Sequence, residues 1–276
     1  MPLGIGFHPG ASRAAYEAVD GANYSRLKLF ERSAAHVLEA TIHPQAPTPA
    51  LELGQHIHAA LLEPERLERD YAVAPKIDRR FTAGKAEWKA FEEANAGKEL
   101  LSAENWELVR GIRDSAWSQP LVAELLRGKG HCEAAAVWEH ERTGLACKGL
   151  IDRVTVHDGW TWAIDVKSTP NAAPGPFAAA CARYQYHAQA AFYLGGLHAL
   201  APARRRFAWI AVEKEPPYAV AVYEPDEAAL LAGETLIERW LDQYAAAKAS
   251  GHWPGFPQKV QRLELPRWAL REGEVV

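Results

Sequence analysis

The chain has 276 residues, 48% of them hydrophobic, and a formal net charge of −4, enough for a proper core in one large domain or two small ones. There is no low-complexity tract or internal repeat, no apolar run near the roughly 20 residues of a membrane helix, and no charged-then-apolar start of the secretory kind, so a soluble cytoplasmic protein is expected. Cys132, Cys147 and Cys181 are far apart and fit neither a zinc pattern nor a disulfide framework, and a four-cysteine iron–sulfur cluster would lack one ligand.

Residues 1–22, rich in Gly, Ala and Pro, read as an irregular lead-in to a single domain over 23–276. From Tyr24 the apolar positions Leu27, Leu29, Phe30, Ala34, Val37 and Leu38 recur at near-helical spacing, with Ser25 as cap, until Pro44 to Pro49 end the helix. A second helix covers Ala50 to Leu62. On it His56 shares a face with Glu52 and Glu63 and should point outward, whereas His58 lies over Gly54 and near Leu51, Leu61 and Leu62, looking inward. His58 is either a satisfied core histidine or, with a glycine one turn before it, a group approached closely by another element or a ligand.

A short strand at Tyr71–Val73, a polar loop at 76–80 and helices over Ala86–Ala94, Ala103–Trp117 (capped by Ser102) and Leu121–Leu126 come next. Glu133–Trp138 reads as a strand that pairs, across the turn at Arg142-Thr-Gly144, with the start of the central hairpin. That hairpin is Gly149 to Lys167: apolar and β-branched runs flank Asp158-Gly159, the pair favoured by a type I′ turn. The turn makes opposed residue numbers sum to 317, so Asp152 faces Asp165, with Asp165 and Lys167 on the same side of the sheet.

Two carboxylates opposed between apolar strands repel, and a divalent cation would relieve the repulsion. Their oxygens suit Mg²⁺, and an adjacent lysine can orient or deprotonate a bound water. The plainer alternative is a solvated Asp165–Lys167 ion pair. Glu133 is either a third acidic group at such a site or a solvated strand end. If the hairpin holds a metal, His58 is the best nitrogen ligand.

After Pro170 one long helix is expected over Phe177–Leu200, with Tyr186, Gln189 and Tyr193 on one stripe and the Gln189 amide in need of a partner. Strands at Phe207–Glu213 and Tyr218–Tyr223 and a last helix from Pro225 to Lys248 complete an α/β (α+β) fold with a mixed central sheet flanked by helices. The net negative charge gives no basic footprint for nucleic acid, although Lys76, Arg79, Arg80, Lys85 and Lys89, or Arg204 to Arg206, could concentrate one locally. Each cluster taken singly reads first as an ordinary solvated face.

In order, Gly54-x-x-x-His58, Glu133, Asp152, Asp165-Val-Lys167 and Tyr186-x-x-Gln189-x-x-x-Tyr193 resemble the PD-(D/E)XK nuclease superfamily, and within it the exonuclease VIII (RecE-like) group of phage and prophage recombination exonucleases. Asp152 follows Ile151 where the superfamily name has proline. The resemblance implies a restriction-endonuclease-like core with a helical N-terminal portion and one or two Mg²⁺ or Mn²⁺ ions held by His58, Asp152 and Asp165. Lys167 would act on the attacking water, and Gln189 and Tyr186 would support the site and position a double-stranded DNA end. It further implies 5′ to 3′ digestion, a single-strand annealing protein as partner and a homo-oligomer. Alternatives are an endonuclease of the same chemistry, an inactive DNA-binding or scaffold protein of this fold, and a hydrolase of small phosphoesters.

Overall fold

In the computed structural model, which describes residues 2–265 apart from 45 and 47, six strands form one mixed sheet and two more form a small parallel pair. In chain order the strands are β1 (Gly6–His8), β2 (Tyr71–Val73), β3 (Glu99–Leu101), β4 (Gly130–Glu139), β5 (Ala146–His157), β6 (Trp160–Thr169), β7 (Arg205–Glu213) and β8 (Val220–Tyr223). The helices are α1 (Arg13–Glu17), α2 (Tyr24–Leu27), α3 (Ala34–Ile42), α4 (Pro49–Leu62), α5 (Arg66–Asp70), α6 (Thr82–Ala94), α7 (Ala103–Ser118), α8 (Pro120–Arg127), α9 (Pro174–Tyr184), α10 (Tyr186–Leu200) and α11 (Glu227–Ser250). None of the described helices is long and apolar enough to cross a membrane.

The large sheet has the order β1-β4-β5-β6-β7-β8, antiparallel throughout except for the parallel pair β6 and β7. A parallel neighbour needs a crossover, and α9 and α10 supply it. Alternation along the strands buries both faces. Ile164, Val166, Ala208, Ile210 and Val212 pack with Ile57 and Leu61 of α4 and Ile112 of α7; Ala136, Trp138, Phe207 and Trp209 pack with Phe192 of α10 and Trp240 of α11. Helix α10 lies close to the sheet because Gly196 faces the buried Trp138 ring, where a Cβ would come within 2.7 Å of ring atoms.

Asp158 and Gly159 take positive φ, 48° and 73°, and the hairpin register follows from them. Arg153 pairs with Ile164, Val154 with Ala163 and His157 with Trp160, each summing to 317 as the turn predicts. The ladder stops there. Asp152 and Asp165 are not a regular pair, because β5 departs from β6 before residue 152, staying on β4, while β6 runs on along β7 to Thr169. The strands open like a V, and the vacated N–H of Val166 is taken by the Asp152 carboxylate at 2.8 Å.

Three further expectations are corrected, and a fourth, the extent of the domain, runs beyond the described residues. Residues 1–22 are not an irregular lead-in: β1 extends the central sheet beside β4, and Ser12 caps α1. The domain expected over 23–276 ends in residues 266–276, outside the described residues. The helix from Tyr24 is broken, with Asn23 rather than Ser25 as its cap and Ser33 capping a new start at α3, since each side chain accepts a backbone N–H three residues on. The helix over 177–200 is two helices, α9 and α10, separated at Gln185, whose backbone is left-handed at φ 59° and ψ 37°.

Candidate active site

The V between β5 and β6 opens into a cleft of about 450 Å³ walled by α4, the start of α10 and the N-terminal segment. His58, Glu133, Asp152, Asp165, Lys167, Tyr186 and Gln189 all line it. Five elements, α4, β4, β5, β6 and α10, therefore bring the expected residues to one place.

Asp165 is its innermost acid, 2% exposed, fixed in a strand paired with Trp209 of β7. Its Oδ1 accepts from Gln189 Nε2 at 2.9 Å and its Oδ2 lies 2.5 Å from Lys167 Nζ. Lys167 Nζ also donates to Gln189 Oε1 at 3.0 Å and sits 4.6 Å from the centre of the Tyr186 ring. The Gln189 amide thus holds the acid with one end and the lysine with the other, and its Nε2 reaches the Tyr193 hydroxyl at 3.3 Å. This arrangement satisfies the partner requirement of a buried amide and fixes its orientation.

Asp152 lies beside them, with His58 Nδ1 3.4 Å from its Oδ2. The environment pushes the two carboxyls apart. Burial raises Asp165 to about 6 even against Lys167. Burial also pushes Asp152 upward, but His58, Lys167 and the Val166 N–H outweigh it and hold that carboxyl below its ordinary value. Burial disfavours the charged forms of His58 and Lys167, but Asp152 outweighs it at His58, and Asp165 with Asp152 at Lys167, so both stay above their ordinary values. Such separation of neighbouring titratable groups is characteristic of reactive clefts.

Glu133 reaches the cleft rim from a distorted backbone. Its φ is +44°, and the β4–β5 ladder pairs Cys132 with Arg153 and Ala134 with Ile151 but skips Glu133 and Asp152. A non-glycine residue in that conformation costs of order 1–3 kcal/mol, and such strain concentrates at functional sites. The side chain is exposed.

Among the described residues, no group of three or more His, Cys, Asp or Glu converges closely enough to hold an ion. Lys167 Nζ lies beside Asp165 Oδ2. The donors nevertheless suit a hard divalent cation: two carboxylates and an imidazole on one cleft, with Asp165 Oδ2 buried and lacking a hydrogen-bond partner of good geometry.

The two histidines of α4 depart from the helix-face expectation. His56, expected outward, is buried, with Nε2 2.6 Å from Glu99 Oε1 and its ring edge-on to Tyr71 at 5.4 Å. The reason is the β2–β3 pair, whose second strand was not foreseen and which covers that face. His58 is the more exposed of the two, and a Cβ on Gly54 would meet nothing within 4 Å, so the glycine widens the cleft rather than admitting another element. Accordingly His56→Ala should cost roughly 1–3 kcal/mol of stability, read from urea unfolding, for a lost charge-assisted hydrogen bond and ring packing. An unchanged unfolding midpoint would show that neither contact contributes.

Sequence reasoning missed the N-terminal contribution: Arg13, Tyr16 and Ser25 also line the cleft. It missed Tyr24 as well, whose hydroxyl contacts the break between α9 and α10. Four of the eight residues in the two basic clusters have an acidic partner. Arg80 pairs with Asp78, Lys89 approaches Glu93 at 3.8 Å, Lys76 approaches Glu104 at 3.7 Å and Arg206 approaches Glu224 at 3.6 Å, all exposed or half-buried. Cys147 is buried and Cys132 and Cys181 half-buried, all as free thiols, with burial pushing Cys147 up to about 12 and Cys181 to about 11.

Comparison with solved structures gives the same fold. A candidate exonuclease from Eubacterium rectale superposes with a TM-score of 0.60 at 11% identity, covering 96% of this chain and 99% of that one. Two further matches, SSO0001 (TM-score 0.29, 16% identity, 72% and 95% covered) and a Vibrio cholerae protein, VC1899 (0.24, 12%, 71% and 52%), are too distant in shape to carry an argument. A search of curated proteins gives no match. A family model described as a PDDEXK-like domain of unknown function, DUF3799, matches residues 23–266, and the chain, with its mixed sheet and its opened β5–β6 hairpin, belongs to that family.

Proposed function

We propose that this protein is a divalent-metal-dependent nuclease that digests double-stranded DNA from its ends, 5′ to 3′, leaving 3′ single strands for recombination or repair. The observation that carries the reading is the Asp165–Lys167–Gln189 arrangement beside Asp152 and His58. The PDDEXK-like fold supports the chemistry, and the Eubacterium rectale protein of similar fold supports the exonuclease form.

Asp152, Asp165 and His58 would hold Mg²⁺ or Mn²⁺, one or two ions, with Glu133 as a further acid at the rim. When bound, such an ion lowers the pKa of water and stabilises negative charge on phosphate oxygens. The chain's own groups do the rest. Lys167 presents its ammonium where the phosphate gains negative charge on attack, and a fixed cation in a cleft stabilises that charge without reorganising. Gln189, bonded to both Lys167 and Asp165, restricts the lysine to one direction, and the Tyr186 ring backs it. The resemblance to RecE-like exonucleases extends the reading to a homo-oligomer that works with a single-strand annealing protein.

The test of end dependence is Mg²⁺-supported digestion of linear duplex DNA beside a covalently closed circle of the same sequence. Loss of the linear form alone is expected. Equal loss of both would make the protein an endonuclease of the same chemistry.

A further inference from the structure

The break between α9 and α10 is what delivers Tyr186 and Gln189 to Lys167, and it is braced from a remote part of the chain. Gln185 takes the left-handed conformation there, so the last carbonyls of α9 lack a continuing helix to bond them. The Tyr24 hydroxyl supplies the missing partner. Its one proton is shared between the Tyr184 carbonyl at 2.8 Å and the Gln185 carbonyl at 2.9 Å. The Gln185 carbonyl also accepts the backbone N–H groups of Ala188 and Gln189 at 3.0 and 3.3 Å, so one oxygen joins Tyr24 to the backbone of the residue that grips Lys167 and Asp165.

Tyr24 is itself anchored to the strand that carries Asp152. Two residues earlier, Ala22 pairs with Cys147 of β5: Ala22 N donates to Ala146 O and Lys148 N to Ala22 O, each at 2.8 Å. The Asn23 side chain then caps α2. A short strut therefore runs from β5 through residues 22–24 to the first turn of α10.

We infer that Tyr24 is a positioning residue of the nuclease site, its hydroxyl fixing the first turn of α10 so that Gln189 meets Lys167 and Asp165. This inference rests on the nuclease reading for its catalytic consequence, but the strut itself is testable without activity. Tyr24 is 5% exposed, and its ring belongs to the core with Leu27, Phe192 and Tyr244. Tyr24→Phe keeps that packing and removes only the hydroxyl.

In Tyr24→Phe, amide hydrogen exchange over residues 184–190 should speed up by about 10-fold or more, while exchange in the middle of α11 stays as in the wild type. Unchanged exchange at 184–190 would overturn the inference. In kinetics on duplex DNA, kcat should fall about 10- to 100-fold with KM nearly unchanged, the cost of a small misplacement at a reacting centre. Because Tyr24 acts through Gln189, Tyr24→Phe combined with Gln189→Ala should be no slower than Gln189→Ala alone. Fully multiplied losses in the double variant would contradict action through Gln189. If the wild-type protein digests no DNA, the nuclease reading fails, and the exchange measurement still decides whether the strut exists.

Discussion

Lys167→Ala is expected to lower the rate of duplex digestion roughly 10²- to 10³-fold or more, the range found when one fixed stabiliser of transition-state charge is removed. The lysine is the cation in contact with Asp165 Oδ2, and Gln189 and Tyr186 leave it little freedom. Its removal takes a charge from the reacting centre and uncovers Asp165 Oδ2 while leaving the donors of Asp152, Asp165 and His58 in place. Divalent-metal affinity should therefore be no weaker than in the wild type, and the binding of DNA in Ca²⁺ should stay near it, as measured by titration. A variant that still cleaves at close to the wild-type rate would show that Lys167 is only half of a structural ion pair.

Asp165→Asn should act on the other half of the site. Asparagine keeps the shape and retains an oxygen to accept from Gln189 Nε2, as Asp165 Oδ1 does at 2.9 Å. It removes the charge of an acid that burial already raises to about 6, so one anionic donor is lost where little water can compensate. Outer partners of metal ligands cost roughly 10- to 100-fold in affinity when lost, and a direct ligand should cost at least as much. Calorimetric titration with Mn²⁺ reads this directly. An affinity equal to that of the wild type would mean that Asp165 serves Lys167 rather than a cation. His58→Ala should follow Asp165→Asn in this assay, whereas His56→Ala should change stability alone.

Much of the site was legible because its parts obey local rules. Asp158-Gly159 dictates the hairpin and its register, and helical spacing puts Tyr186, Gln189 and Tyr193 on one stripe. The features that were not legible depend on distant partners. Nothing near Asp152 in sequence announces that β5 leaves β6 and that the carboxylate takes over a ladder bond to Val166. A register argument alone put the two aspartates directly opposite, and the opened strands keep them close without that pairing. His56 looked solvated because Glu52 and Glu63 share its face, but a parallel strand some 40 residues on, Glu99–Leu101, covers it. The break at Gln185 was hidden in a continuous helical pattern, since a left-handed glutamine carries no glycine or proline to mark it, and its brace comes from Tyr24. Likewise Gly, Ala and Pro in residues 1–22 suggested disorder of pattern, whereas the β1 edge strand is held by backbone bonds that any side chain allows.

The most direct measurement is the release of nucleotides from linear duplex DNA by the wild-type protein in Mg²⁺, in Mn²⁺ and in excess chelator, with Lys167→Ala run beside it. The account predicts release with either ion, none with chelator, and little from the variant. No release from linear duplex under either ion, or equal release by the wild type and Lys167→Ala, would contradict it.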